Sequence, residues 1–161
     1  MKTSLVILMM MGISYLSPAQ SKSVETLYNK YKSDKEFFHM DLAGNFLNFA
    51  EGMNLNLDEG QMSAITKSVE RVKIFKLPVN GSIAKADFTA LQKGLERENF
   101  EIMMETSDKN SGVVMYSKGG NKIKDIVLLI SGEGNDENMV IALEGEFDAK
   151  TMSDAGKKAL E

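Results

Sequence analysis

His39 and Asp41 are the residues whose types and spacing come nearest to a catalytic pair. His39 is the single histidine of the 161 residues, and Asp41 follows two positions later. Residues two apart in a strand point to the same face. The carboxylate of Asp41 can therefore hold the imidazole and prepare it as a general base. No serine stands in the glycine-flanked pattern expected of its nucleophile. A hydrolase centred on His39 and Asp41 is therefore an alternative and not the first interpretation.

The remaining candidates are oxygen and sulfur ligands. The stretch GEGNDEN (132–138) is acidic, but its spacing differs from a calcium loop, and it lacks the third glycine of a dinucleotide-binding turn. Met103 and Met104 are neighbours in a predicted strand, so they point to opposite faces and cannot chelate copper(I) together. With no cysteine and one histidine, a zinc site would depend almost wholly on carboxylates. The sequence predicts no metal and no cofactor, and GEGNDEN is interpreted as the tip of a hairpin.

The first nineteen residues indicate export. Lys2 supplies a positive charge, an apolar run covers 5–16, and Ser17-Pro18-Ala19 offers small residues for cleavage. A signal peptide over 1–19 is predicted, with a single domain over 20–161 that is periplasmic or secreted and has no transmembrane segment. An uncleaved anchor is the other interpretation, although no stop-transfer charge cluster follows the apolar run. The absence of cysteine excludes a lipoprotein attachment site and a disulfide framework.

Composition is that of a globular protein, with 43% hydrophobic and 26% charged residues. The formal net charge is −4, and no clustered basic face is visible. Because binding to nucleic acid requires such a face, we do not expect a nucleic-acid partner.

Periodicity predicts helices and strands in alternation before a run of strands. Residues at helical spacing indicate helices, and alternating apolar residues indicate strands. The predicted elements are a helix over 23–31, a strand over 35–42, two short helical pieces within 43–69, a strand over 71–77, and a helix over 82–98.

From Phe100 onward, turn signals at 107–112, 119–121 and 132–138 predict an antiparallel meander, followed by a short helix after Lys150. Centring each turn in its hairpin pairs Met104 with Met115, Met115 with Ile126, and Ile126 with Leu143. One face then collects apolar residues that we expect to form the core beneath the helices: Phe100, Ile102, Met104, Val113, Met115, Ile126, Leu128, Ile130, Met139, Ile141 and Leu143.

The second face of the meander is also apolar and has charged residues around it. An apolar patch with a polar rim is typical of a partner or ligand site, unless the first helix or residues 43–49 cover it. The predicted binding residues are Met103, Val114, Tyr116, Val127, Leu129, Val140 and Ala142.

The sequence also resembles a known family. The stretches KIKDIVLLISGE and IALEGEFDAKTM, together with LYNKYKSDKEFFHMDLAGNFLNF and ERVKIFKLP, are similar to a small exported bacterial family described as domain of unknown function 4252. The resemblance implies an α+β domain in Gram-negative envelopes. It implies no catalytic residues, and the lipid-anchored members differ from this sequence in having a lipobox cysteine.

These patterns lead to one interpretation. The fold is α+β, an antiparallel meander sheet extended by N-terminal strands, with helices packed mainly on one face. The function is a non-catalytic binding or interaction module of the envelope that uses the second sheet face. Its partner is an envelope protein or an apolar, lipid-like ligand. The alternatives are the hydrolase centred on His39 and Asp41 and an accessory protein of envelope stress or regulation.

Overall fold

The computed structural model describes residues 21–44, 68–78, 81–108, 111–132 and 138–150. The predicted signal peptide, the closing helix after Lys150 and most of the span 43–69, where two short helical pieces are predicted, lie outside these residues. At the ends of that span, Ala43 and Val69 belong to strands. The described helices are α1 (Lys22–Tyr31) and α2 (Gly81–Arg97), and the strands are β1 (Phe38–Ala43), β2 (Val69–Lys76), β3 (Glu101–Ser107), β4 (Gly112–Gly119), β5 (Lys122–Ser131) and β6 (Asn138–Asp148).

The strands form a six-stranded sheet in the order β1-β2-β6-β5-β4-β3, and all neighbours are antiparallel. The predicted α+β class with an antiparallel sheet is confirmed. Strands β3 to β6 form the meander, while β2 pairs with β6 and brings β1 to the opposite edge. Ser131 pairs with Asn138 across the β5–β6 connection, so GEGNDEN joins two hairpin strands as predicted.

The observed register agrees with two of the three predicted pairs. Met104 pairs with Met115, and Ile126 pairs with Leu143. The prediction that Met115 pairs with Ile126 is wrong by two residues, because Met115 pairs with Leu128. An irregularity follows Lys118, where Gly119 has a φ of 128° that L side chains rarely adopt. A shift of two residues preserves the side-chain face, so Met115, Ile126 and Leu128 stay on the predicted face. The prediction is wrong for Phe100 and Ile102, because the register shifts between Ile102 and Met104: Ile102 pairs with Tyr116, and Phe100 packs in the cluster of Tyr116.

Both helices begin or end on recognisable capping contacts. The side chain of Ser21 caps α1 by accepting a hydrogen bond from the Val24 N–H at 3.2 Å. Helix α2 is stopped by Asn99, whose φ of 62° is left-handed, and the Phe100 N–H then donates to the Leu95 carbonyl at 3.0 Å. A left-handed residue after the last turn is a common helix stop.

The two helices also contact each other through polar side chains. The carboxylate of Glu98, just after α2, accepts hydrogen bonds from the N–H groups of Lys22 and Ser23 at 3.0 and 2.8 Å. These are N–H groups of the first turn of α1, which lack partners inside the helix. Asp87 of α2 accepts from the Tyr31 hydroxyl at 2.5 Å and pairs with Lys30 at 2.6 Å. Contacts at both ends therefore fix α1 beside α2.

The sheet has an apolar cluster on each face. The larger cluster contains the buried stripes of α1 and α2, including Leu27 and Leu95, and packs against Phe75, Val127 and Val140 of the sheet. The second cluster contains Val72, Ile123, Ile126 and Phe147, with Met115, Leu128 and Leu143 partly buried around them. The prediction that the helices cover the face of Met104, Met115 and Ile126 is therefore wrong for α1 and α2. Both faces are apolar, so alternation defines the faces without saying which one α1 and α2 cover.

None of the helices in the described part of the chain is long and apolar enough to cross a membrane.

Candidate functional site

Most of the residues predicted to form a binding surface lie in the interior. Tyr116 is 2% exposed, and four further members of the predicted set share its cluster with both helices: Val127, Leu129, Val140 and Ala142. Their place as an exposed surface is thus corrected by the structure, because α1 and α2 bury this face. Met103 and Val114 differ, since Met103 is exposed on β3 and Val114 is only half-buried.

A groove lies beside α2 at the border of this face. Its volume is about 550 Å³, and it lies between α2 and the neighbouring ends of β3, β4 and β5. Lys85, Thr89 and Gln92 line the helix side, because residues three and four apart share one side of a helix. Phe88 of α2, with Val114 and Leu129 of the predicted binding set, contributes the apolar lining.

The opposite wall of the groove belongs to the edge of the sheet. Glu105, Thr106 and Ser107 of β3 line it, and Gly132, the first residue of GEGNDEN, lies at one end. Glu105 pairs with Val114 across the β3–β4 ladder, so the two side chains share the face that points to the groove. The wall is therefore a strand with a charged side chain, next to an apolar lining.

Strand β3 is an edge strand with a solvent-exposed surface. Among the described residues it pairs with β4 alone, and each of its residues except Met104 is exposed. Two of them are large and apolar, Ile102 at 51% and Met103 at 37% exposure. An edge strand presents backbone N–H and C=O groups that can pair with another chain.

Carboxylates dominate the electrostatics near this groove. Burial raises the pKa of the Tyr116 phenol, and the negative charges of Glu96 and Glu105 raise it further. The phenol therefore stays neutral at physiological pH, and both carboxylates are near enough to influence it. Lys85 supplies a positive charge on the helix side of the groove.

His39 and Asp41 lie on β1, at the other edge of the sheet, and do not form the predicted pair. The His39 ring stacks on Phe37 at 5.4 Å between centroids and meets Tyr28 edge-on at the same distance. Asp41 instead accepts two hydrogen bonds from Arg71, at 2.8 and 2.7 Å. In the part of the chain that the structure describes, no hydrogen bond joins His39 to Asp41, so Asp41 does not orient the imidazole.

Asp41 belongs to an ionic cluster that sequence reasoning did not identify, formed by Glu25, Asp41, Arg71 and Lys73. Lys73 is 1% exposed; its ammonium contacts Glu25 of α1, lies 3.7 Å from Asp41, and sits 4.6 Å from the centre of the Tyr28 ring. The hydrogen bonds from Arg71, followed by the charge of Lys73, lower the pKa of Asp41. In RVKIFK (71–76), Arg71 and Lys73 are two residues apart, so their side chains lie on one face of β2. Asp41 of β1 lies on the same face, and this spacing could have indicated the cluster.

Two more carboxyl groups face each other beside this cluster. Asp125 of β5 pairs with Glu144 of β6, and burial raises the pKa of both. Within the described ranges, Glu144 Oε1 is buried without a hydrogen-bond partner. The described residues contain no group of three or more histidine, cysteine, aspartate or glutamate side chains placed to hold a metal ion. The cluster of Glu25, Asp41, Arg71 and Lys73 joins α1 to the sheet. The space for a ligand or partner lies in the groove beside β3.

Comparison with known proteins defines the family. No curated protein and no solved structure matches the chain. A family model does match, over residues 31–155, which includes both edges of the sheet and all of α2. The chain therefore belongs to the family described as a domain of unknown function (DUF4252).

Proposed function

We propose that this protein is a non-catalytic binding module of the bacterial envelope, and that its partner lies in the groove between α2 and β3. Export rests on the signal-like pattern of residues 1–19. The mature chain over 20–161 acts as one domain, in which α2 and the sheet form the walls of the groove.

The observation that carries this proposal is that a groove lies next to an edge strand, β3, which among the described residues pairs with β4 alone. A cavity of about 550 Å³ lies in the size range of ordinary ligand sites, which are typically about 300–1,000 Å³. Its lining is mostly polar, with Phe88, Val114 and Leu129 as the apolar side chains, so hydrogen bonds as well as apolar contacts are available to a partner. Exposed Ile102 and Met103 extend the apolar surface along the edge.

The predicted binding role thus moves from the face to its border. Val114 and Leu129 remain in the site, because both line the groove. The other buried members of the predicted set support the sheet beneath it. Binding at this border leaves the core closed, whereas binding at Tyr116 would require α1 and α2 to separate from the sheet.

In-cell photo-crosslinking tests this proposal. A photoreactive amino acid at Thr89, which lines the groove, is compared with the same amino acid at Ala86, an exposed residue of α2 that does not line it. We expect a recurrent adduct of one mass from position 89 and none from position 86. Equal adducts from both positions, or none from position 89, would contradict the site.

The same cells test export. Intact-mass measurement of the protein from the periplasmic fraction is expected to give a chain that begins at Gln20. A full-length chain in the cytoplasm would refute this part of the proposal.

A further inference from the structure

We propose that β3 receives an extended segment of a partner protein as an additional strand, and that this segment alternates apolar residues with lysine or arginine. This inference rests on the proposed function, because it names the class of partner that the groove would bind.

The geometry of the sheet edge supports strand addition. β3 has seven residues, Glu101–Ser107, which is long enough for several ladder hydrogen bonds. Nothing in the described chain pairs with its outer side. Six of its seven residues are exposed, and its register against β4 shifts between Ile102 and Met104. Addition of a strand to an open sheet edge is a recurrent way of binding peptides, with main-chain hydrogen bonds giving affinity.

The neighbouring groove would supply selectivity. Successive side chains of an added strand point to opposite faces, so every second one would lie on the face that α2 borders. On that face the groove offers Phe88, Val114 and Leu129 as apolar lining, with Thr89 and Gln92 at the helix side. An apolar side chain at alternate positions fits this lining, since it removes apolar surface from water on both partners.

Charge favours a basic segment. β3 carries Glu101 and Glu105 and contains no lysine or arginine. Lys85 is the basic residue that lines the groove, on the α2 wall rather than on the strand. Opposite charges on adjacent strands stabilise their pairing, and like charges directly opposite destabilise it. Glu101 pairs with Ser117 and Glu105 with Val114, so the two glutamates lie on opposite faces of the edge. When the apolar side chains of an added strand face the groove, its lysine or arginine side chains lie on the other face, beside Glu101, where they pair better than neutral or acidic ones.

The same charges act against a second copy of this chain as the occupant. Two β3 strands side by side would bring four glutamates into one ladder with no basic residue, and each whole chain has a formal net charge of −4. Charged residues on an edge are a common means of preventing self-association. The edge is thus protected against its own copies while it remains compatible with a basic partner.

The probe for this inference is a pair of synthetic nine-residue peptides, one alternating lysine with valine and the other alternating glutamate with valine. Binding to the whole mature protein is measured by fluorescence anisotropy at fixed salt. We expect the lysine–valine peptide to bind and the glutamate–valine peptide not to bind. Glu101→Lys is expected to weaken binding about five- to tenfold, because it replaces an attraction on the lysine face of the edge by a repulsion.

Glu36→Lys is the matched control, since Glu36 is an exposed acid in the turn before β1 and its reversal changes the net charge equally. Its affinity for the peptide is expected to be unchanged. Equal weakening by both substitutions would mean that only net charge attracts the peptide, and this would overturn the inference. Absence of binding, or dimerisation of the protein through β3, would also overturn it.

The peptide result is independent of the crosslinking result. If the Thr89 adduct forms while the lysine–valine peptide fails to bind, the groove is a binding site but its occupant is not a basic strand. If neither is observed, the proposed function fails as well.

Discussion

Lys73→Met removes the central cation of the ionic cluster and is expected to destabilise the protein by about 1–3 kcal/mol. Removing one partner of a fully buried ion pair costs about 3–5 kcal/mol, because it leaves an uncompensated charge. Here the cost is smaller for two reasons. The Glu25 side chain is 35% exposed and can regain water, and Asp41 keeps both hydrogen bonds from Arg71. The loss of the ammonium above the Tyr28 ring adds to the cost.

A double-mutant cycle measured by urea denaturation with circular dichroism isolates this interaction. In the Glu25→Met/Lys73→Met variant both charges are gone, so the combined loss is expected to fall short of the sum of the single losses by about 1–2 kcal/mol. Lys30→Met is the control, since the Lys30–Asp87 pair is more exposed and should contribute at most about 1 kcal/mol. Strict additivity of the Glu25 and Lys73 substitutions would refute the role of this pair in holding α1 on the sheet.

Burial and close approach give three further predictions. Burial raises the pKa of Asp125, so the stabilising contribution of its protonated form is present below the unfolded pKa of about 3.9 and is lost as pH rises through the folded pKa. Asp125→Asn should abolish this loss of stability, measured in denaturation curves at several pH values. A pH profile of stability that the substitution leaves unchanged would contradict the prediction. A Cβ at Gly94 would collide with the Ser23 hydroxyl oxygen and lie 2.7 Å from the Ser23 Cβ. Gly94→Ala should therefore lower the free energy of unfolding by about 1–3 kcal/mol, and the Ser23→Gly background should restore it. No loss of stability in Gly94→Ala would show that α1 and α2 separate easily. Val127→Ala in the buried face should cost about 1–3 kcal/mol, whereas Ile102→Ala on the open edge should cost less than about 0.5 kcal/mol; equal costs in urea denaturation would contradict the assignment of core and edge.

Much of the sheet could be predicted because strand alternation and turn residues are local signals. The pairing of Met104 with Met115 follows from centring a turn, and it is confirmed. The pairing of Met115 with Leu128 could not be obtained in this way, because the irregularity after Lys118 depends on how Gly119 accommodates the neighbouring backbone. The side-chain period still placed these residues on the correct face.

The position of the helices could not be predicted from alternation. Tyr116 and Met115 lie on opposite faces that are both apolar, and tertiary packing decides that α1 and α2 cover Tyr116. The candidate site was partly within reach, since Val114 and Leu129 were identified as binding residues and both line the groove. The edge position of β3 depends on the order of strands across the sheet, which a local pattern does not specify.

The partnership of Asp41 shows the same distinction. Its spacing from His39 suggested a catalytic pair, but the register places Asp41 opposite Lys73 and beside Arg71. A carboxylate next to two cations forms its hydrogen bonds with them, because hydrogen bonds from charged donors are stronger. Spacing within one strand therefore predicted which side chains share a face, and the neighbouring strand decided which of them bind each other.

Amide hydrogen exchange of β3 tests the central claim most directly. Exchange is measured by NMR on the whole mature protein, with and without the lysine–valine peptide, and the amides of β1 at the opposite edge serve as the internal reference. The account predicts that amides between Met103 and Ser107 that point away from β4 exchange more slowly when the peptide is bound, while those of Met40 and Leu42 are unchanged. Protection at β1, or no protection at β3 with the peptide bound, would contradict it.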